Sequence, residues 1–374
     1  MINIFVANKE NWGGTFQYTE LLINSLNYKK IKTTIYYTEN IWKNKIKDRN
    51  TAVKVKSTIL NIFFIYLIVL FNLSKVLDNK LIKKLTGLPD SFFDRKTIWI
   101  FPSQDFVSSI CKGKKIVAIH DLMHRLSSFP EVSGFFRKIF RDFRFKKIIK
   151  IADLILVDSE VGKKHVINLF NHKKKNIRVL AFFPPIKIFK KTSNRKLKKK
   201  YLFYPAQFWP HKNHKNLILA VNKIAKIDSS IKLYLVGHKI RLYKELKKLS
   251  IDLNCEKNIT FLGYVDSSYL SNLYLNARAL VMPSFLGPTN IPPIEAFLHG
   301  CPVLLSDVFA AREQCGNYAS YFDPNSVQSI FNSIYKVWFD DKSYFILKKK
   351  SLKKSKSYSV KKFSNKFLNF IFEA

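Results

Sequence analysis

Short apolar runs alternate with longer segments of helical period along nearly the whole chain of 374 residues. In the first half, the runs that predict strands span residues 2–7, 33–37, 97–101, 115–119, 154–157 and 177–180. In the second half, they span residues 201–204, 232–236, 259–261, 279–282, 302–305 and 319–322. Strands that alternate with helices form parallel sheets with crossover helices. We therefore predict an α/β chain with two doubly wound domains of roughly six strands each.

A stretch rich in proline and lysine, residues 184–200, separates the two sets of strands. It has no periodic apolar pattern. We interpret residues 187–200 as a linker between an N-terminal domain, residues 1–186, and a C-terminal domain, residues 201–355. The alternative is a long surface loop within one domain, but a chain of this length favours two domains of about 100–200 residues each.

The charge balance is extreme for a cytosolic enzyme. The chain has 65 Lys and Arg against 26 Asp and Glu, a formal net charge of +39. Such an excess points to a polyanionic surface nearby: nucleic acid, anionic lipid or phosphorylated substrates. A coding bias toward AT-rich codons is the alternative explanation. Apolar residues make up 47% of the chain, which excludes general disorder.

The cysteines and the N-terminus exclude further classes. Cys111, Cys255, Cys301 and Cys315 form no Cys-x-x-Cys pair and have no histidine at zinc spacing, so we expect neither a disulfide framework nor a structural metal. The chain opens on a strand-like run, Ile2 to Val6, rather than on the basic and apolar stretches of a secretory signal. The cytoplasm is therefore the expected location.

One segment breaks the alternation. Residues 59–73 are almost wholly apolar, have lysines on both sides, and predict a helix over about residues 57–77. A membrane span needs about 20 residues, so this run is short for one. At 100° per residue, Asn61 and Asn72 fall about 20° apart and mark a narrow polar stripe. A helix in the membrane interface is our first interpretation, with a buried helix and a true span as alternatives.

Two loops of the first half lie beyond the carboxyl ends of strands, where ligands bind in open parallel sheets. Gly13 and Gly14 precede a helix, whose N-terminus favours anions, although a plain tight turn fits as well. The third glycine of a dinucleotide fingerprint is missing, which excludes a nicotinamide site. His120 follows the strand over residues 115–119 and is placed to meet a ligand, with Asp121 to set its tautomer. A structural histidine is the alternative.

Lys212 occupies the corresponding position in the second half. It ends the loop after the strand over residues 201–204, just before a helix that places Leu217, Ala220, Val221 and Ile224 at apolar positions. An ammonium beside a helix N-terminus is a good site for a diphosphate. Because the chain is so rich in lysine, the position carries this argument rather than the charge.

The stretch from Met282 to Ala296 has the most specific pattern. A strand ends in a turn-rich loop that contains Gly287, and Pro292 and Pro293 then open a helix, where their missing N–H groups cost nothing. We place Glu295 in the first turn of that helix, where its carboxylate can accept a hydrogen bond from a ribose hydroxyl.

The string from Pro283 to Val303 resembles the donor-site signature of family 4 retaining glycosyltransferases, which have the GT-B fold. His120-Asp121-Leu122 and Phe129-Pro130-Glu131 resemble motifs of that family's first domain. Residues 205–214, 261–265 and 358–371 resemble its phosphate loop, its nucleobase-side strand and its C-terminal helix. The resemblance spans most of the chain and is weakest over residues 50–186.

The resemblance implies two Rossmann-like domains that face each other across a cleft, with residues 356–374 packed back on the first. The second domain would hold a nucleotide-sugar donor and the first would hold an acceptor, with neither a metal nor another cofactor. The candidate catalytic residues are His120, which would contact the donor sugar or the reaction centre, and Asp121. The candidate donor-binding residues are Lys212 for the diphosphate, Glu295 for the ribose, and Gly13, Gly14, Thr289, Asn290 and Ile291.

Two positions depart from the family pattern. The family usually has a second Glu eight residues before the ribose Glu, in a Glu-Gly-Phe-Gly loop, where this chain has Gly287 in a Gly-Pro-Thr-Asn string. Thr289 or Asn290 is expected to replace its hydrogen bonds. An Arg often stands five residues before the phosphate Lys, where this chain has Gln207. Either change can alter the choice of donor.

The function that these features predict is transfer of a sugar, with retention, to a glycan or lipid-linked acceptor in bacterial cell-surface polysaccharide synthesis, of lipopolysaccharide, O-antigen or capsule. We expect a peripheral protein on an anionic membrane surface. The rival interpretations are a basic nucleic-acid-binding protein, a transmembrane protein anchored by residues 59–73, and an inactive homologue. No helix-turn-helix, OB or RRM pattern supports nucleic-acid binding.

Overall fold

The structure is a computed structural model that describes residues 1–10, 13–46, 50–56, 58–171, 176–184, 200–287 and 289–373. The chain divides into two compact units. Unit 1 comprises Met1–Leu126, Ser133–Phe182 and Ser359–Ala374, and unit 2 comprises Ser127–Val132 and Phe183–Tyr358.

Most of the strands follow the apolar runs of the sequence. Those of unit 1 are β1 (Ile2–Val6), β2 (Thr33–Tyr37), β3 (Thr51–Lys54), β4 (Ile98–Phe101), β5 (Lys114–Ile119), β6 (Leu154–Val157) and β7 (Ile177–Val179). Those of unit 2 are β8 (Leu202–Pro205), β9 (Leu233–Val236), β10 (Ile259–Gly263), β11 (Ala279–Met282), β12 (Val303–Ser306) and β13 (Ser320–Phe322).

The helices connect these strands. Up to β7 they are α1 (Gly14–Tyr28), α2 (Ile59–Leu70), α3 (Asn79–Thr86), α4 (Met123–Leu126), α5 (Pro130–Ser133), α6 (Phe135–Ile151) and α7 (Glu160–Phe170). After β8 they are α8 (His214–Ala225), α9 (Tyr243–Asp252), α10 (Ser267–Asn276), α11 (Ile291–Leu298), α12 (Ala311–Cys315), α13 (Val327–Phe339), α14 (Asp341–Ser355) and α15 (Val360–Glu373).

Unit 1 is built on a parallel sheet with the strand order β3-β2-β1-β4-β5-β6-β7. Every residue of β1 and β6 is buried, as expected for a sheet that helices cover on both faces. The six predicted strands are confirmed, and β3 is a seventh that the sequence did not reveal. It is an edge strand whose residues are mostly exposed, so no apolar run marks it.

Unit 2 is built on a parallel sheet with the order β10-β9-β8-β11-β12-β13, which confirms its six predicted strands. The fold class, α/β with two doubly wound parallel sheets, is confirmed as well. In both sheets the strand order reverses beside the first strand: between β1 and β4 in unit 1, and between β8 and β11 in unit 2. Ligands of such sheets bind beyond the carboxyl ends of the strands at this switch point.

The apolar helix of unit 1 is shorter than predicted. A capping box between Thr58 and Asn61 begins α2, and the helix ends at Leu70. Asn72 follows it with a left-handed backbone, φ 54°. The predicted helix over residues 57–77 was therefore wrong in length, and the polar stripe does not form, because Asn72 lies outside the helix.

The unit boundaries differ in detail from the predicted domains. Ser127–Val132 belongs to unit 2 rather than to a continuous N-terminal domain of residues 1–186. The predicted linker, residues 187–200, lies outside the described residues except for Lys200. The last helix, α15, belongs to unit 1 and packs against α1, with Phe363, Phe367 and Ile371 buried.

Candidate functional site

The loops after β8 and β11 meet at the switch point of the unit 2 sheet. The Nδ2 atom of Asn213 donates to the carbonyl of Pro283 over 3.0 Å, and the backbone N–H of Phe285 donates to the carbonyl of His211 over 2.8 Å. The loop that carries Lys212 and the loop that carries Gly287 therefore form one surface, although about 75 residues separate them in sequence.

Lys212 lies where the sequence predicts it. It ends a 3-10 turn, Pro210–Lys212, and α8 begins at His214. Tyr204 holds this turn by donating its hydroxyl to the carbonyl of Lys212 over 3.0 Å. The predicted apolar positions of α8 are confirmed as buried: Leu217, Ala220, Val221 and Ile224.

The ring of His214 is buried beside the Lys212 turn. Burial between the rings of Tyr204 and Phe208, with a smaller contribution from the Lys212 ammonium, lowers the pKa of His214 to about 3. His214 is therefore neutral near pH 7. Lys212 provides a positive charge beside the start of α8, where exposed N–H groups also favour an anion.

Glu295 lies one turn deeper in its helix than predicted. The helix α11 begins at Ile291, so Glu295 is its fifth residue, and its placement in the first turn was wrong. The residue is only 6% exposed, and its Oε2 atom accepts a hydrogen bond from the Tyr274 hydroxyl over 2.8 Å. Burial, followed by the charge of Glu295, raises the pKa of Tyr274 well above its ordinary value, so Tyr274 remains a donor.

The backbone of the loop before α11 is held by hydrogen bonds to the side chain of Gln314. The N–H of Asn290 donates to Oε1 of Gln314 over 3.0 Å, and Nε2 of Gln314 donates to the carbonyl of Asn290 over 2.7 Å. Thr289 and Ile291 flank this residue, so Gln314 fixes the stretch in which we predicted donor contacts. Pro288 lies outside the described residues.

Gly287 and Asn290 fit each other. Gly287 has φ 121°, which L side chains rarely adopt, and a Cβ atom there would lie 2.7 Å from Oδ1 of Asn290. The Nδ2 atom of Asn290 also faces the carbonyl of Gly287 at 3.4 Å. The side chain of Asn290 thus occupies space that a larger residue at position 287 would need.

Gln207 has a structural partner. Its Oε1 atom accepts a hydrogen bond from the backbone N–H of His238 over 3.0 Å, which ties the loop after β8 to the loop after β9. The two backbones come close here, since a Cβ atom on Gly237 would lie 2.5 Å from the carbonyl oxygen of Ala206. At this position, Gln207 supplies a neutral link between loops rather than a charge.

Glu131 belongs to the same surface, and we assigned it no role from the sequence. Its Oε1 atom accepts from the backbone N–H of His211 over 3.1 Å and from Nδ1 of His211 at 2.9 Å. Burial alone would raise the pKa of Glu131, but these hydrogen bonds outweigh it and hold the pKa below its ordinary value. The ring of Phe129 stacks on that of Phe285, with centroids 5.6 Å apart. The Phe-Pro-Glu string was the available signal, but nothing in it identified His211 as the partner.

In unit 1, His120 lies at the carboxyl end of β5, as predicted. Its Nε2 atom faces the carbonyl of Pro102 at 2.9 Å, its Nδ1 atom faces Oδ2 of Asp158 at 3.4 Å, and the Tyr18 ring meets it edge-on at 4.7 Å. The prediction that Asp121 sets its tautomer was wrong. The Oδ1 atom of Asp121 instead accepts from the backbone N–H of Met123 over 3.0 Å.

The surroundings of His120 favour its protonated form. Burial would lower the pKa of His120, but the Asp158 carboxylate and the Pro102 carbonyl together raise it above its ordinary value. Both ring nitrogens therefore face acceptors of the protein itself. This arrangement agrees with the structural alternative and leaves direct contact with a ligand as a prediction.

The glycine loop of unit 1 also has a defined backbone. Gly13 has φ 54° and precedes Gly14, the first residue of α1, and the carbonyl of Gly13 accepts from the N–H of Gln17 over 3.1 Å. A Cβ atom on Gly13 would meet nothing within 4 Å, so its backbone conformation is the reason for glycine, not a lack of space. Asn11 and Trp12 lie outside the described residues.

Three further observations concern the whole of the described chain. No group of three or more His, Cys, Asp and Glu side chains is arranged to hold a metal ion within the described ranges. The four cysteines are buried and free. None of the helices in these ranges combines the length and the apolarity that a membrane crossing requires.

Comparisons with known proteins agree with the geometry of unit 2. Residues 185–354 match the family model described as "Glycosyl transferases group 1". This range contains Lys212, the loop from Gly287 to Ile291, and Glu295, whereas His120 and Glu131 lie outside it. Residues 185–354 of this chain are therefore similar to group 1 glycosyltransferases.

Curated relatives extend this similarity toward the N-terminus. The chain is 30% identical over 213 residues to the O-antigen chain mannosyltransferase RfbU of Salmonella typhimurium, a match that covers 57% of this chain and 58% of RfbU. It is 25% identical over 294 residues to the O-antigen chain mannosyltransferase B of Escherichia coli, covering 74% of this chain and 76% of that protein.

Solved structures identify the fold. The crystal structure of Anabaena Alr3699/HepE in complex with UDP-glucose matches all of this chain and all of its own, with a TM-score of 0.74 and 16% sequence identity. Such neighbours are GT-B glycosyltransferases, and the present chain has the GT-B fold.

Proposed function

We propose that this chain transfers a sugar, with retention of configuration, from a nucleoside-diphosphate sugar to a glycan or lipid-linked acceptor during the synthesis of a bacterial cell-surface polysaccharide. One observation carries the proposal. The Lys212 turn and the Gly287–Ile291 loop meet at the switch point of one parallel sheet, within a range that matches group 1 glycosyltransferases. The two O-antigen mannosyltransferases among the relatives support the class of product.

Each group of this surface has a chemical task in the proposal. The Lys212 ammonium and the amides at the start of α8 stabilise the negative charge that develops on the leaving diphosphate. Glu295 accepts from the ribose hydroxyls through its carboxylate, which Tyr274 holds in place. The Gln314-held backbone at Asn290 and its neighbours Thr289 and Ile291 present polar groups to the donor sugar.

Unit 1 holds the acceptor in this proposal. The Gly13-Gly14 turn stands at the start of α1, and its amides are suited to the anionic diphosphate of the donor, for which these two glycines were predicted. His120 contacts the donor sugar or the reaction centre, and no described residue is assigned as a nucleophile. The reaction needs neither a metal nor another cofactor, since Lys212 and the helix amides provide the positive charge at the diphosphate.

A thermal-shift screen tests the donor site, because a ligand that binds only the folded state raises the apparent stability. The ligands are UDP-, GDP-, dTDP- and CMP-sugars, and GDP-mannose is included because two relatives are named mannosyltransferases. We expect one nucleotide class to raise the midpoint, with and without EDTA. A midpoint that no donor raises, together with tight and salt-sensitive oligonucleotide binding, would contradict the proposal and favour a nucleic-acid-binding protein.

The matched control for this screen is a second lysine on the same helix. Lys212→Ala is expected to reduce the shift, whereas Lys215→Ala, at an exposed lysine in the first turn of α8, is expected to retain it. Loss of the shift in both variants would mean that general positive charge, rather than the Lys212 turn, binds the nucleotide.

A further inference from the structure

The first six residues of α6 are all exposed. Residues 135–140 include four large apolar side chains, and Phe135 and Phe136 are 71% and 84% exposed. Farther along the helix, Phe145, Ile148 and Ile149 are buried in the core of unit 1. The helix thus begins outside the core, with aromatic side chains that nothing in the described structure covers. Contiguous exposed apolar surface of this kind usually marks an interaction site.

The second half of α2 lies beside the first half of α6. The Tyr66 and Phe140 rings are 5.5 Å apart, and the Lys147 ammonium of α6 donates to Asn72, which lies two residues beyond the end of α2. Tyr66 precedes Asn72 in sequence, and their partners Phe140 and Lys147 come in the same order, so α2 and α6 run in the same direction. The N-terminal ends of the two helices therefore lie at the same side of unit 1.

Both helices begin with exposed apolar side chains, and we call this group at the two helix starts the two-helix patch. On α2, Ile59 is 89% exposed, and Leu60 and Phe63 are exposed as well. The two-helix patch consists of Ile59, Leu60, Phe63, Phe135, Phe136 and Ile139. It extends the apolar run of the sequence to a second helix, which the hydrophobic pattern of residues 59–73 did not indicate.

The charge around the patch is mainly positive. Residues 133–150 contain seven Lys and Arg and one acidic residue, Asp142, while residues 50–77 contain three Lys and no acidic residue. Asp142 is paired with Arg125 and His124 inside unit 1. Arg137 and Lys138 are exposed between the aromatic residues of α6. The surroundings therefore attract an anionic partner.

We infer that the two-helix patch docks on the surface of an anionic lipid bilayer, with its apolar side chains below the headgroups and Arg137 and Lys138 among them. Burial of aromatic side chains provides the apolar contribution, and each Lys or Arg near an anionic leaflet adds attraction. At 12 residues, α2 is about 18 Å long, which suits the interface but not a crossing. This inference is independent of the donor chemistry proposed for unit 2.

The experiment compares sedimentation of the full chain with vesicles of phosphatidylglycerol in phosphatidylethanolamine and with vesicles of phosphatidylcholine. We expect binding to the first and little to the second. Phe135→Ser with Phe136→Ser is expected to reduce the partition coefficient by about tenfold or more, because two exposed rings no longer enter the bilayer. The matched control is Phe345→Ser with Phe372→Ser, which removes two aromatic side chains of similar exposure outside the patch and is expected to bind as wild type.

A second pair of variants tests the charge. Arg137→Ser with Lys138→Ser is expected to weaken binding to the anionic vesicles, whereas Lys244→Ser with Lys247→Ser, two exposed lysines of α9, is expected to have little effect. Circular dichroism and donor-induced thermal shifts check that each variant is folded.

Three outcomes would overturn the inference: equal binding to both kinds of vesicle, equal loss in patch and control variants, or no vesicle binding by the wild type. Concentration-dependent dimers that the Phe135→Ser, Phe136→Ser variant abolishes would also overturn it, since a second copy of the chain would then cover the patch. None of these results affects the donor screen, so failure of the membrane inference and failure of the proposed function can be told apart.

Discussion

The carboxyl edges of the two sheets share a strand order but differ in how their polar groups are held. At the unit 2 edge, His211 is held by Glu131, 80 residues away in sequence, and Glu295 is held by Tyr274. These contacts hold the Glu131 and Glu295 carboxylates in defined positions among the loops of this edge. At the unit 1 edge, His120 faces Pro102 and Asp158 with both of its ring nitrogens. The contacts at the unit 2 edge thus hold charged side chains of several loops, whereas those at the unit 1 edge restrain the His120 ring beside the Asp158 carboxylate.

The comparison shows that sheet topology does not decide function here. Both sheets place the reversal of strand order beside their first strand, yet only the loops of unit 2 match group 1 glycosyltransferases. Their helices differ too, because α2 and α6 of unit 1 leave an apolar patch exposed. Function depends on the residues that each unit places at its edge and on its surface.

The largest expected effect is on the rate of sugar transfer and comes from substitution of His120 at the unit 1 edge. If His120 touches the reaction centre, His120→Ala lowers the transfer rate by about a hundredfold or more while donor affinity stays near wild type, because the contact is made mainly in the transition state. Steady-state kinetics and donor titration measure the two quantities separately. Joint loss of fold, activity and donor binding would instead assign His120 a structural role as the partner of Pro102 and Asp158.

The next effect concerns the charged groups of the unit 2 edge. Lys212→Ala and Glu295→Ala are each expected to reduce donor affinity by roughly tenfold or more, since a hydrogen bond to a charged group contributes about 1.5–3 kcal/mol. Isothermal titration with the donor found by the screen measures this. Glu245→Ala, at an exposed position of α9, is the control for Glu295 and is expected to bind normally. Wild-type affinity in a folded Glu295→Ala variant would refute the assigned site.

A smaller effect tests whether Glu131 positions the Lys212 turn. Glu131→Gln keeps one acceptor oxygen but removes the charge that faces His211, so donor affinity is expected to fall by about threefold to tenfold with little change in the transfer rate of bound donor. Glu245→Gln serves as its matched control. A change in kcat alone would show that Glu131 acts on the reaction rather than on the turn.

The pH dependence of the same pair has a defined sign. Because the folded-state pKa of Glu131 is lowered, its contribution to stability is present above its ordinary pKa and is lost as the pH falls through the lower, folded value. Glu131→Gln is expected to remove this dependence on the acid side while leaving the neutral range flat. Identical acid profiles for wild type and variant would contradict it.

The smallest effect on activity is expected for Asp105 of unit 1, which is predicted to affect stability rather than donor binding. Burial raises the pKa of Asp105 to about 6, although Ser103 and Arg144 oppose the shift. Between its ordinary value of 3.8 and about 6, the folded chain binds more protons than the unfolded chain, so stability falls as the pH rises through this window. Asp105→Asn is expected to remove this pH dependence of the free energy of unfolding, a change on the order of 1 kcal/mol across the window. Donor affinity is expected to stay within about twofold of wild type. Thermal unfolding at a series of pH values measures it, and an unchanged slope would contradict the assignment.

The sequence by itself determined the two sheets and the loops that carry chemistry. Apolar runs of strand length mark buried strands because each lies in a sheet covered on both faces, and twelve of them were found this way. Lys212 and His120 were located because the residues and loops that follow such runs must lie at the edge of the sheet. The edge strand β3 escaped this reasoning, because its exposed residues carry no apolar signal.

Only the tertiary structure decided which residues hold one another. His120 faces Asp158 rather than the adjacent Asp121, and Glu131 reaches His211 across 80 residues, because these pairs are set by the positions of separate strand ends. The depth of Glu295 in α11 depended on where the helix begins, at Ile291. The exposed start of α6 likewise emerged only from packing. A local pattern records whether a residue favours a helix, a strand or a turn, but a hydrogen bond between distant residues depends on how those elements pack together.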